Sequence, residues 1–210
     1  MNEKFFTLPE EKRHRIINAG FRVFSKNSYR KSPVGDIARE AGISKSLLFH
    51  YFRNKRELYM FLWSECARIT NEAVENCGCF ETDDMFDAMF LVMKAKFNVM
   101  RTFPDLGTFA IKSYYEEDPE VSSDVASLIK QASEYQLENI HKWFRPELFV
   151  QGIDIRMMYR DMYLASEGFI WEKLHRSCLD ADEMEKEFCE LIEFWKSIYL
   201  RRETNECDRD

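Results

Sequence analysis

The sequence predicts an all-α protein of about nine helices, with a small basic head ahead of a larger acidic helical body. Three observations predict it. Breakers are scarce, with 7 Gly and 5 Pro in 210 residues, whereas Glu, Lys, Met, Leu and Phe abound, which favours helices over many short strands. Apolar residues recur at steps of three and four along most of the chain. The net charge of −7 is split, residues 1–58 carrying +7 and residues 59–210 carrying −14. A basic head on an acidic body suggests that only the head meets a polyanion.

The first helix is predicted to start at Thr7-Leu8-Pro9-Glu10, with Thr7 as cap and Glu10 completing a capping box. Ile17, Phe21 and Phe24 mark its buried face, and it ends near residues 25–27. Ser32 is expected to cap a second helix with Pro33 at its first position and Val34, Ile37, Ala38 and Ala41 inward. Gly42 follows where a left-handed residue is needed. Ile43 plugs the turn and Ser44 caps a third helix, in which Leu48 and Phe52 face the core. Ala38 is small where the helices cross, Gly42 comes four residues later, and Leu48 six after that. These offsets fit a helix-turn-helix, a unit that lays its second helix in the major groove; a plain helical hairpin shares them. Asn54-Lys55-Arg56-Glu57 opens a fourth helix with a capping box, and a helix start bearing a lysine suits phosphate.

The body reads as helices throughout. Phe86, Phe90, Met93, Phe97 and Met100 form one amphipathic stripe. A break falls at Thr102–Asp105, and Asp118-Pro119-Glu120 caps a further helix carrying Val121 and Val125. Two helices close the chain, through Ile155–Lys173 and Ala181–Arg201. The expected domains are 1–54, 55–202 and a polar tail at 203–210. No apolar run of about 18 residues spans a membrane, and no secretory signal is read at the start. The six cysteines are scattered, as reduced thiols in a cytoplasmic protein would be. Neither a phosphate loop nor a nucleophile elbow occurs, and His14, His50, His141 and His175 lack metal spacing. Cys77-Gly78-Cys79 stands without a second Cys pair, so it reads as a loop. No catalysis, metal or cofactor is expected.

The run from Val34 to Leu58, with its Asp36-Ile37-Ala38, Ala41-Gly42-Ile43-Ser44, His50-Tyr51-Phe52 and Asn54-Lys55, resembles the DNA-binding domain of the TetR/AcrR family of transcriptional regulators. The resemblance covers roughly residues 8–60. It departs at Leu47 and Phe49, where the family often has Thr and Tyr; the hydroxyls are lost and apolar surface stays, which suits a thymine methyl. The resemblance implies DNA contacts from Ser32, Ser44, Lys45, Ser46, Leu47, Phe49, His50, Tyr51 and Lys55. Lys45 fits either a guanine edge or a phosphate. For the body it implies ligand sensing and homodimerisation through the last two helices, with Trp171, Phe188, Trp195 and Tyr199 as interface anchors. An apolar cavity is expected from Trp63, Phe90, Met93, Phe97, Met100, Phe109, Tyr114, Trp143, Tyr163 and Phe169, although such stripes also serve as plain core. Glu167 is a polar group of interest if buried. The implied function is a homodimeric repressor that holds a near-palindromic double-stranded operator and is released by a small, largely apolar effector. An activator, a ligand-independent regulator, or a helical ligand-binding protein with a vestigial head are the alternatives.

Overall fold

The computed structural model describes residues 3–139, 145–176 and 179–201, the side chains of 135–139 excepted. Among these residues nine α-helices form: α1 (Glu10–Lys26), α2 (Val34–Glu40), α3 (Lys45–Tyr51), α4 (Lys55–Glu75), α5 (Met85–Thr102), α6 (Pro104–Tyr114), α7 (Ser122–Asn139), α8 (Ile155–His175) and α9 (Ala181–Tyr199). The all-α reading holds. Trp143 and the tail at 203–210 lie outside the described residues.

Most helix starts follow from local chemistry. Ser44 Oγ accepts from Leu47 N at 3.1 Å and caps α3. Asn54 Oδ1 accepts from Glu57 N, while Glu57 Oε2 accepts from Arg53 N, as the capping box requires. Asp84, Asp154 and Asp180 cap α5, α8 and α9 in the same way. Two expected starts differ. Helix α1 opens with Pro9 at the cap position and no side-chain cap, because the Thr7 hydroxyl donates back to Lys4 O at 3.0 Å. Helix α2 opens after Pro33, and Ser32 is turned away from it.

The chain folds into two compact units. The first joins residues 1–73 to 98–132; the second joins 74–97 to 133–210. The expected head thus shares a core with α6 and the start of α7. Phe109 of α6 lies 5.3 Å from Phe21, 6.2 Å from Phe24 and 5.1 Å from Tyr59, ring centre to ring centre. Val121 and Val125 are buried in the same cluster. Fully burying a ring of this kind contributes about 1.5–3 kcal/mol. Phe5 is the unanticipated core residue: fully buried, it meets Tyr51, Phe52 and Phe61 at 5.8, 4.9 and 5.2 Å.

In the second unit, Phe188 of α9 is the hub. It meets Phe97 of α5 at 6.4 Å, Phe169 of α8 at 5.8 Å and Trp195 at 6.0 Å. The buried Lys173 ammonium pairs with Glu187, tying α8 to α9. Residues 148–150 run antiparallel to 199–201, with Val150 N donating to Tyr199 O at 3.0 Å and Arg201 N to Leu148 O at 2.9 Å.

Gly107 is required where α6 crosses α5. A Cβ there would stand 2.5 Å from Met100 Cγ and 3.1 Å from Met100 Cα, a backbone atom. Gly107→Ala is expected to destabilise the protein by about 1–3 kcal/mol in a urea titration. Adding Met100→Ala should return part of that loss, since the clash is with that residue; fully additive effects would place the strain elsewhere.

Candidate nucleic-acid interface

The α2–α3 turn is built by two consecutive residues. Gly42 takes φ +66°; its N–H donates to Arg39 O at 3.1 Å and Ile43 N–H donates to Ala38 O at 2.9 Å. This pair of bonds closes the end of α2 and is the reason for glycine there. Ile37, Ala38, Leu48 and Phe52 then meet in the core, as expected. The opposite face of α3 is left to solvent. Lys45, Ser46, Phe49 and His50 are exposed, and Leu47 is half-buried. Lys45 Nζ lies 5.8 Å from the Phe49 ring centre. A cation and an apolar ring therefore stand side by side, one suited to a guanine edge or phosphate and the other to a thymine methyl.

Three expected DNA contacts are placed differently. Ser32 is fully buried, and its hydroxyl donates to Ser28 O at 2.9 Å and to Val23 O at 3.4 Å. It closes the α1–α2 loop and offers nothing to phosphate. Tyr51 is buried edge-on against Phe5. Lys55 is drawn inward: its ammonium sits 4.5 Å over the Tyr29 ring and donates to Arg30 O at 3.4 Å, and loss of solvent lowers its pKa. Arg30, Lys31 and Arg53 are exposed beside these elements. Their charge was visible in the sequence, but no motif singled them out.

The loop before α2 is held from below. Glu116 accepts from Tyr29 N at 2.6 Å, and Glu120 accepts from the Tyr29 hydroxyl at 2.7 Å. Burial first, then the Glu120 carboxylate and more weakly Asp118, raise the Tyr29 pKa, so the phenol stays a donor. Arg56 donates to Glu120 O at 2.9 Å and pairs with Asp124. Asp105, in the first turn of α6, accepts from Ser25 Oγ at 3.1 Å and from Arg22 at 3.4 Å. Acidic residues of the body thus hold the basic head at six points inside one compact unit.

The expected cavity residues are divided between the units. Trp63, Met100, Phe109 and Tyr114 belong to the first, and Phe90, Met93, Phe97, Tyr163 and Phe169 to the second. Phe109 and Phe97 are packed core and Tyr114 is exposed; Trp63, Phe90, Met93, Met100, Tyr163 and Phe169 keep partial exposure. Glu167 is partly buried, which raises its pKa, while a hydrogen bond from Tyr163 acts the other way. Of the expected interface anchors, Phe188 and Trp195 lie inside the protomer and Trp171 is exposed. Tyr199 is half-buried and donates to Asp161 at 2.7 Å. The exposed apolar stripe is instead Met157, Leu164 and Trp171 on α8 with Phe194 and Ile198 on α9. Spacings of seven and of four keep each set on one helix face. Burial also pushes the Cys66 and Cys79 thiols up to about 11, which suits core and loop thiols rather than metal ligands. No described helix is long and apolar enough to cross a membrane.

Residues 16–60 match the family model for bacterial regulatory proteins of the tetR family. Over these residues the head is similar to the bacterial regulatory proteins of that family. Over 51 residues it is 41% identical to the HTH-type transcriptional regulator HbdR of Aromatoleum sp. (strain CIB), covering 24% of this chain and 22% of that protein. Over 50 residues it is 36% identical to the fatty acid metabolism regulator protein of Bacillus subtilis (strain 168), covering 24% and 26% respectively. The chain therefore matches about a quarter of the length of these relatives. The fold likeness extends much further. A TetR family transcriptional regulator from Chloroflexus aurantiacus J-10-FL aligns over 96% of this chain and 99% of its own, with a TM-score of 0.68 at 20% identity. The Bacillus subtilis regulator FadR, in complex with stearoyl-CoA, aligns over 85% and 96%, with a TM-score of 0.65 at 18% identity. The whole chain has the fold of tetR-family regulators.

Two substitutions separate surface from scaffold. Lys45→Ala is expected to weaken DNA binding and to reduce the slope of log affinity against log salt by about 1 if the contact is to phosphate, with the melting temperature unchanged. Ser32→Ala should cost about 1 kcal/mol of stability and leave the salt slope alone. The reverse pattern would show that the α1–α2 loop, not α3, meets DNA.

Proposed function

We propose that this protein is a cytoplasmic, homodimeric transcriptional repressor, and not an enzyme, that binds a near-palindromic operator and leaves it when a small, largely apolar effector binds the body. The observation that carries the reading is the head itself: an α3 face of Lys45, Ser46, Phe49 and His50 open to solvent, with the loop before α2 hydrogen-bonded to Glu116 and Glu120. Contacts from α3 give sequence discrimination, and a second copy about one helical turn away, roughly 34 Å, doubles the read length.

The effector is read from the body. An effector shifts an equilibrium only by binding one state better than the other. Helix α6 and the start of α7 are packed into the head's own core. A change in their position moves Asp105, Glu116 and Glu120, and through them the α1–α2 loop. The likeness to a fatty acid regulator and to a stearoyl-CoA complex supports an effector with a long apolar part. Dimerisation is assigned to the exposed stripe Met157, Leu164, Trp171, Phe194 and Ile198, since a contiguous apolar face of this kind marks an interaction surface.

Binding of the purified protein to the DNA upstream of its own gene tests the reading. It should be preferred over random DNA of equal length and fall steeply with salt; equal affinity for both would overturn the repressor. Leu164→Glu with Phe194→Glu should give a folded monomer in light scattering and lose about 100-fold in operator affinity. A double variant that stays dimeric would place the interface elsewhere.

A further inference from the structure

Helix α5 carries a cation in an unusual place. Asp87, Lys94, Asn98 and Arg101 are among its exposed polar residues. At about 100° per residue they fall on one stripe. Lys96 stands opposite that stripe, about 180° around the helix from Asp87. Its companions on the inner side are Met85, Met89, Val92 and Met93. Lys96 is therefore the single charge on an inner, methionine-rich face of the second unit's part of α5.

Among the described residues the cation is also alone. Lys96 makes no hydrogen bond or ion pair among the described residues, and its pKa is lowered by desolvation with no charged neighbour contributing. The buried Lys173, by contrast, has Glu187 and Glu183. In a body with 31 acidic and 17 basic side chains, a lysine without a carboxylate is conspicuous. An unpaired charge away from water is costly and is normally paired or removed.

Lys96 nevertheless keeps part of its accessible surface, as do Met89, Val92 and Met93 beside it. Its ammonium is nonetheless deep enough in the protein for desolvation to lower its pKa, and accessible surface at that depth points to an internal space. That space has apolar, adaptable walls and one ammonium.

We propose that Lys96 is the anion-binding end of the effector site, and that the effector is an amphipath: an apolar chain ending in an oxyanion, carboxylate or phosphate, that pairs with Lys96. This rests on the effector reading above and adds to it the charge of the ligand and the residue that recognises it. Met93 of the expected cavity lies on this same face of α5.

The test uses the full-length protein and three chain-matched probes below their micellar concentrations: dodecanoate, dodecyl phosphate and 1-dodecanol, each titrated by calorimetry. The wild type should bind at least one of the two anions about tenfold or more tightly than the alcohol, and the tighter anion identifies the head group. Lys96→Met should bind the alcohol as the wild type does and lose the preference for the anion; Lys96→Arg should keep most of it. Without ligand, Lys96→Met should melt at a higher temperature than the wild type, because an unpaired buried charge is gone. Equal binding of alcohol and anions by the wild type, or a preference that survives Lys96→Met, overturns the role of Lys96 and leaves the apolar effector standing. No binding of any of the three overturns both.

Discussion

The structure depends on one shared core. Phe21 and Phe24 of α1, Tyr59 of α4 and Phe109 of α6 pack as a continuous aromatic cluster. Around it, Asp105 ties α6 to Ser25 and Arg22. Close packing of this kind transmits displacement, because interiors are dense and poorly compressible. Helix α6 is therefore not an adjacent support for the helix-turn-helix head but one of its structural members.

The rest of the head follows from that arrangement. With α1 and α4 fixed on α6, Leu48 and Phe52 are drawn inward and the outer face of α3 is defined by what remains. Phe5 seals the far side against Tyr51, Phe52 and Phe61. The loop before α2 puts Tyr29 into the core against Phe24 and Tyr59 and is held further by polar contacts: Ser32 within the loop, and Glu116 and Glu120 from the α6–α7 connection. The exposed ion pairs at this junction are worth little singly. Their value is positional, since each sets where Tyr29 and the start of α4 stand.

Much of this was legible in the sequence. The Gly42 turn, the Ser44 and Asn54 caps and the inward Leu48 and Phe52 depend on neighbours within six residues, and local chemistry decides them. The rest depends on partners far along the chain. Ser32 has the residue type and position of a cap or phosphate contact, but Val23 and Ser28 bring carbonyls to it only once the loop has closed. Phe188 and Trp195 lie on the same helix as Phe194 and Ile198, and composition alone cannot say which aromatics face in; only the packing of Phe97 and Phe169 decides. The boundary expected at residue 54 follows the end of the helix-turn-helix, whereas the compact unit follows the aromatic core that α6 completes. Lys96 shows the same limit. Its position opposite Asp87 and Lys94 could be counted on a helical wheel, but its lack of a partner appears only in three dimensions.

The shared core is tested most directly by native-state hydrogen exchange on the full-length, DNA-free protein. If α1, α4 and α6 form one cooperative unit, their slowest amides should open with a single free energy and respond together to low concentrations of denaturant. Amides of α1 that open well before those of α6, with a separate denaturant dependence, would show that the head is an independent domain and would contradict the account.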